Sequence, residues 1–384
     1  HFAVHSGPES DRHHFNAIVS KQDLWETYLP AFRALVKEAG VEAVMGAYNR
    51  TNGEPCCGSK TLLKDILRDK WHFDGHVTSD CWAIKDFHTG HMVTDGPVES
   101  VALAVNNGCD LNCGDLYVYL EQAVAEGKLS EGKIDESLTR LYVTRMRLGM
   151  FDAEDQVPYN KVGYDVVDSA EMKALNLKVA DNIMTLLKND GTLPLDKSAR
   201  IALYGVGSYA FTAGGKGSGD VNKPYIVDLR EGLLRSGFAL NPAVDSLYVE
   251  WTNRENERLA PIRAVRPWYL YDLRPNEVRD IDRAIERGAT ESDVAVITIS
   301  RTSAEAFDRH IERDYLLRID ETALIKGVSR AFHAAGKKVV VMLNICGVIE
   351  MASWQNMADA VMICWQPGQE GGNSVAAVLA GEVS

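Results

Sequence analysis

The stretch Gly75-His76-Val77-Thr78-Ser79-Asp80-Cys81-Trp82 decides how this chain is read. Apolar Val77 within small and β-branched neighbours marks a short buried strand, and Ser79-Asp80 marks where it stops. Upstream, Val41 to Gly46 (VEAVMG) is a similar run. Between the two, Ser59 caps a helix whose Leu62, Leu63, Ile66 and Leu67 share one face. Downstream, Gly96-Pro97 opens a helix through Val101, Leu103 and Val105, and Gly108 to Asn112 (GCDLN) forms a third strand. Ser130 then caps a long helix with Ile134, Leu138, Leu141 and Met146 facing inward, stopped at Gly149. Strand, loop and helix in repetition mean parallel strands joined by crossover helices. Such folds place their chemistry at the carboxyl ends of the strands, which makes Asp80 the first candidate catalytic residue.

Asp152 to Asp168 breaks the alternation with Pro158, Tyr159 and polar residues, and a helix follows over about Ser169 to Lys188, ended by Asn189-Asp190-Gly191. The pattern then restarts, with strands at Arg200–Tyr204, Asp293–Ser300, Lys338–Asn344 and Ala360–Trp365, and helices at Glu321–Ala335 and Gly372–Ala380. The stretch near 243–280 is charged, aromatic and aperiodic, and is read as an irregular excursion. The fold class is therefore α/β, with a first domain over 1–153, a linker and helix over 154–199, and a second domain over 200–384.

With 384 residues, 46% of them hydrophobic, the chain can supply a core for two domains. Its net charge of -13, with 54 acidic against 41 basic residues and no basic run, argues against nucleic-acid and anionic-membrane partners. A neutral ligand such as a sugar remains compatible. The longest apolar runs, such as Val339 to Ile345, are too short to span a bilayer. Seven scattered cysteines do not suggest a disulfide framework or a zinc site. Cys109 and Cys113 are spaced to pair or to serve as small buried residues. His13-His14, near His1 and His5, invites a metal reading, but adjacent histidines in an extended segment point to opposite sides. No metal and no cofactor are expected.

Hydrolysis by carboxylates needs two of them. The second candidate is Glu305, in Arg301-Thr302-Ser303-Ala304-Glu305-Ala306-Phe307-Asp308-Arg309, again just past an apolar strand. Two such acids point to glycoside chemistry. A rival reading comes from Gly205-Val206-Gly207-Ser208-Tyr209-Ala210, which fits the G-x-G-x-x-A of dinucleotide sites, with Asp228 downstream. That motif needs a helix opening inside the glycines, whereas Thr212-Ala213-Gly214-Gly215-Lys216-Gly217 cannot sustain one. A third reading is a sugar-binding chain without turnover.

Several separated segments carry a resemblance to a known family. They are His1-Phe2-Ala3-Val4-His5 through Arg12, Val44-Met45-Gly46-Ala47-Tyr48-Asn49 through Asn52-Gly53, and Leu67-Arg68 through Phe73-Asp74-Gly75 into Ser79-Asp80. In the second half they are Gly214-Gly215-Lys216-Gly217-Ser218-Gly219-Asp220, Ser303 to Arg309, and Trp365-Gln366-Pro367-Gly368-Gln369-Glu370-Gly371. Together these resemble glycoside hydrolase family 3, the retaining exo-acting β-glycosidases built as a barrel followed by an α/β sandwich. The resemblance implies a partial (β/α)8-type barrel followed by an α/β sandwich domain.

It further implies a glycoside or oligosaccharide substrate, Asp80 as nucleophile and Glu305 as acid/base. It implies His1, Arg12, Met45, Tyr48, Cys81, Trp82 and Ser218 at the sugar. Retention requires the two carboxylates roughly 5 Å apart, so the site is expected at the junction of the two domains. Three departures from the family pattern stand out. Its tryptophan after the nucleophile is Cys81 here, with Trp82 next, a variant that looks like the xylosidase and arabinosidase members. The glycine common after the acid/base is Ala306. The chain also begins at the histidine of a Lys-His pair and stops before the end of the sandwich. A piece of a longer protein is therefore expected, with little turnover from these residues alone, since half a barrel leaves strand edges open.

Overall fold

The computed structural model describes residues 1–266 and 273–383, in two compact units, His1–Gly163 and Tyr164–Ser384. In the first unit, strand Ala43–Met45 pairs in parallel with His76–Thr78. Single parallel bridges extend this arrangement on both sides, Phe2 to Gly46 and Thr78 to Leu111. These are four successive strand positions of a barrel-type sheet. The expected strand Gly108–Asn112 is reduced to that one bridge. The crossover helix Lys60–Lys70 begins where expected, since Ser59 Oγ accepts the Leu62 N–H at 3.0 Å, and Leu62, Leu63, Ile66 and Leu67 are all buried. Helix Pro97–Asn106 buries Val98, Val101 and Val105 against the same core.

Helix Glu131–Arg147 departs from expectation, because Leu138 and Met146 are exposed. Polar anchors on another stripe decide its orientation. Arg140 Nη1 donates to the buried Asp110 Oδ1 at 2.8 Å, Thr144 Oγ1 to Glu42 Oε1 at 2.7 Å, and Arg147 Nη1 to Glu42 Oε2 at 2.7 Å. A buried carboxylate must be paired, and that requirement outweighs the apolar periodicity.

The second unit holds a six-stranded sheet in the order Thr185–Asn189, Ala360–Ile363, Lys338–Asn344, Val294–Ser300, Arg200–Tyr204, Ala239–Leu240. All neighbours are parallel except the first pair. In chain order the parallel strands run 2-1-3-4-5, reversing between Arg200–Tyr204 and Val294–Ser300. The three central strands are buried on both faces, as their continuous Val/Ile runs require. Helices Leu229–Arg235 and Gly371–Leu379 cross so closely that a Cβ on Gly232 would collide with the Gly372 carbonyl.

Two expectations fail here. The helix after Ser169 spans Ala170–Ile183 and stops short of Lys188, because Thr185–Asn189 leaves it to pair antiparallel with Ala360–Ile363. The excursion near 243–280 contains an ordered helix, Pro242–Val265, capped by Asn241 Oδ1 on the Ala243 and Val244 N–H groups. Its buried stripe runs through Tyr248, Thr252 and Glu255, so polar members hide the period. Residues 267–272 of that stretch lie outside the described residues. No described helix is long and apolar enough to cross a membrane.

Asp110→Asn should destabilise the first unit by about 3–5 kcal/mol in urea denaturation, because it leaves the largely buried Arg68 guanidinium without its counter-charge.

Candidate active site

The strand His76–Thr78 ends in a turn held from several directions. Ser79 N–H donates to Leu111 O at 2.8 Å, Cys113 N–H to Ser79 Oγ at 3.0 Å, and Trp82 N–H to Cys113 O at 2.6 Å. A disulfide joins Cys81 to Cys113 beside these bonds. The pairing is not the Cys109–Cys113 pair that the sequence left open, and it corrects the reading of Cys113 as simply a small buried residue. The parallel bridge of Thr78 to Leu111 brings residues 81 and 113 to one end of the sheet, while Cys109 is buried with a free thiol. Cys81 sulfur is thus committed to a structural bond beside Asp80. Trp82 follows with φ 62°, a left-handed backbone that is strained for a bulky residue, and the residue is 57% exposed.

Asp80 is half-buried at the head of this turn. His1 Nε2 lies 2.8 Å from its Oδ2, and the Cys81 N–H donates to Oδ1 at 2.8 Å. The Tyr48 hydroxyl supplies a further hydrogen bond. Burial pushes the carboxyl up, but the His1 hydrogen bond, the Cys81 amide, the charge of His1 and the Tyr48 hydroxyl together hold it below its ordinary 3.8. Asp80 is therefore built to stay ionised.

Arg12 lies over the Tyr48 ring, 4.8 Å from its centroid, and pairs with Glu9 at 3.1 Å. Met45, half-buried, ends the neighbouring strand, where Phe2 N–H donates to its carbonyl at 2.8 Å. The first unit thus gathers His1, Arg12, Tyr48, Asp80 and Trp82 around one strand-end region.

In the second unit, Glu305 sits past strand Val294–Ser300 and opposite the glycine-rich segment. Lys216 and Ala304 form a parallel bridge, with Lys216 N–H donating to Ser303 O at 2.9 Å and Glu305 N–H to Lys216 O at 3.2 Å. Ser218 donates to Glu305 Oε2 from both its N–H, at 2.9 Å, and its Oγ, at 2.7 Å. Gly217 has φ 114°, and a Cβ there would fall 2.6 Å from Glu305 Cβ, so glycine is required for this approach. Buried Asn344 fixes the base of both loops, accepting from Thr212 N–H at 2.7 Å and Ser300 Oγ at 3.1 Å. Ser218, expected at the sugar, is placed on the Glu305 carboxyl.

Comparison with known proteins adds to this geometry. The model of the glycosyl hydrolase family 3 N terminal domain matches residues 1–144, and that of the family 3 C-terminal domain matches 184–384. The chain belongs to glycosyl hydrolase family 3. It is 34% identical over 97% of its length to a probable exo-1,4-β-xylosidase of Neosartorya fischeri, covering 45% of that protein. Over 53% of its length it is 43% identical to a xylan 1,4-β-xylosidase of Xylanibacter ruminicola, covering 24% of that protein. Among solved structures, β-glucosidase 3B of Thermotoga neapolitana in complex with glucose superposes with a TM-score of 0.86 and 32% identity. That match covers all of this chain and 52% of the other. The chain spans about half the length of the curated relatives it matches.

Two sequence features take a physical meaning in this family 3 chain. Ala306 has φ 60°, the left-handed region where glycine alone is unstrained, which accounts for the glycine expected there. The Gly205/Gly207 pair has other duties than cradling a dinucleotide. A Cβ on Gly205 would strike Thr298 O, and one on Gly207 would strike Ser300 Oγ. The Val206 N–H at the head of the turn already donates to Glu277 Oε2 at 3.0 Å, and Asp228 caps helix Leu229–Arg235 through the Glu231 N–H at 2.8 Å. Only a single 3-10 turn, Val206–Ser208, follows the strand. Among the described residues no His/Cys/Asp/Glu group is arranged to hold a metal.

His1→Ala should raise the Asp80 pKa, since burial then dominates; a carboxyl NMR titration with an unchanged midpoint would remove His1 from this role. Because the folded pKa lies below 3.8, the stability Asp80 contributes is present above that pH and lost as pH falls through the folded value.

Proposed function

We propose that the protein is a retaining exo-acting β-glycosidase that releases a terminal β-linked xylose or glucose, with Asp80 as nucleophile and Glu305 as acid/base. The observation that carries this reading is Asp80 itself: an acid at a strand's carboxyl end, held ionised by His1, the Cys81 amide and Tyr48, in a family 3 chain.

An Asp80 oxygen attacks the anomeric carbon and forms a glycosyl ester, while the bond to the leaving oxygen breaks and Glu305 supplies that oxygen with a proton. Glu305 then takes a proton from water, whose oxygen attacks the same carbon and restores the Asp80 carboxylate. The inversion at each step leaves the configuration unchanged overall. Ser218 supports the second role by fixing the Glu305 carboxyl through two donors on one oxygen. Arg12 and Tyr48 offer a guanidinium and a phenol suited to vicinal hydroxyls, and exposed Trp82 offers an aromatic face. The Cys81-Trp82 pair and the xylosidase names of the relatives favour the pentose. The likeness of the whole chain to a β-glucosidase structure keeps glucose in the substrate class.

Asp80→Asn should lower turnover of an aryl β-xyloside or β-glucoside by about a thousandfold or more; near-normal hydrolysis would refute the assignment. Glu305→Ala should slow substrates with poor leaving groups by about 10²–10⁴-fold, spare activated aryl glycosides, and respond to added azide. A uniform loss across leaving groups without azide rescue would move the proton role elsewhere.

A further inference from the structure

We propose that His13, oriented by Asp86, is a positioning residue that sets Arg12 and Tyr48 beside the nucleophile through one obligatory imidazole tautomer. What Arg12 and Tyr48 do at the sugar rests on the glycosidase reading above; the tautomer does not.

The argument begins with what each group can donate. Arg12 Nε donates to His13 Nε2 at 3.3 Å, and a guanidinium nitrogen never accepts. His13 Nε2 therefore carries no proton. The proton of neutral imidazole must sit on Nδ1, which lies 2.8 Å from Asp86 Oδ2, an acceptor when ionised. Asp86 is buried, so its carboxylate needs that donor. The sequence Asp86, Nδ1–H, Nε2, Arg12 Nε–H is satisfied in one direction only. A second proton on His13 would set Nε2–H against the Arg12 N–H.

His13 also touches the other sugar-site residue. Its ring meets the Tyr48 ring edge-on at 4.7 Å, on the residue whose face Arg12 covers and whose hydroxyl bonds Asp80. One imidazole thus contacts both residues. Glu9 shares the Arg12 Nε–H at 3.1 Å, and the other titratable groups felt around Asp86 and His91 in this cluster are His14 and Arg50. The loop has no slack, because a Cβ on Gly90 would collide with the His13 carbonyl oxygen, and the Gly90 and His91 N–H groups both donate to Asp86 O. The turn that presents the Asp86 carboxylate is packed directly on the backbone that presents His13.

Two variants separate the acceptor from the ring. His13→Gln keeps an oxygen acceptor for Arg12 and loses the ring; His13→Phe keeps the ring and loses the acceptor. In the full-length protein, His13→Phe should lower kcat/KM on aryl β-glycosides and weaken binding of free xylose or glucose tenfold or more, with His13→Gln, which keeps the acceptor but not the ring, losing clearly less. Equal effects of the two, or a Phe variant like the parent, would overturn the proposal. Selective ¹⁵N-histidine NMR, with the His13 signals assigned by their loss in His13→Gln, reads the tautomer without any turnover. Nδ1–H with unprotonated Nε2 at neutral pH supports the proposal, whereas Nε2–H or a doubly protonated ring sinks it. The expected tautomer in a protein that hydrolyses no glycoside would remove the glycosidase reading and leave the positioning geometry intact.

Discussion

The first unit depends on the buried carboxylate of Asp110. Its Oδ2 accepts from Arg68 Nη2 at 2.9 Å and from the Val77 N–H at 2.8 Å, and its Oδ1 accepts from Arg140. Its backbone N–H returns a bond to Val77 O at 2.8 Å. Arg68 in turn grips the carbonyls of Phe73 and Gly75, the turn that feeds the strand. One acid therefore ties a crossover helix, two strand positions and the helix Glu131–Arg147 together. A buried ion cluster of this kind adds little net stability over well-packed apolar groups, but breaking it is costly. Its effect is geometric: it fixes where Val77 lies along the sheet, and so where Asp80, three residues on, emerges.

The two ends of this strand are held by different chemistry. At the entry, charge and hydrogen bonding set the position. At the exit, where a charged clamp would disturb the ionisation of Asp80, the Cys81–Cys113 disulfide and the Ser79 and Trp82 backbone bonds hold the turn with neutral groups. His1 approaches the carboxylate as a chargeable partner, while Arg12 lies over the Tyr48 ring. The Asp80 pKa is thus depressed by a few directed donors, even though burial alone would raise it.

What the sequence disclosed follows from the same physics. Helix faces such as Leu62, Leu63, Ile66 and Leu67 were legible because apolar burial is periodic and local. Asp80 and Glu305 stood out as candidates because strand ends are locally marked and the surrounding motifs resemble a family. The Cys81 pairing was hidden because it depends on the Thr78–Leu111 register, a long-range fact. Helix Pro242–Val265 was hidden because its inward Glu255 reads as a surface residue. Arg258 and the Asn276 backbone amide overcome its burial and bring its carboxyl down to about 2. Leu138 and Met146 misled for the opposite reason: their period was real, but Asp110 and Glu42 claimed the other stripe. His13 showed only as half of an unpromising histidine pair, since nothing in the local sequence announces Asp86 as its partner.

The second unit shows why a sheet of nucleotide-binding order need not bind a nucleotide. Its strand order reverses between Arg200–Tyr204 and Val294–Ser300, the crevice where such folds usually seat an anion. Here Glu277 occupies the position an anion would take, accepting the Val206 and Val278 N–H groups, each at 3.0 Å, and the Tyr248 hydroxyl at 2.8 Å. Burial pushes its carboxyl up, and those three donors stabilise the ionised form against it. With the Val206 amide already taken by Glu277, the glycines after the strand serve close packing against Thr298 and Ser300. The strand-end loops are then available for another purpose, and Lys216, Ser218 and Glu305 are assembled there by backbone pairing.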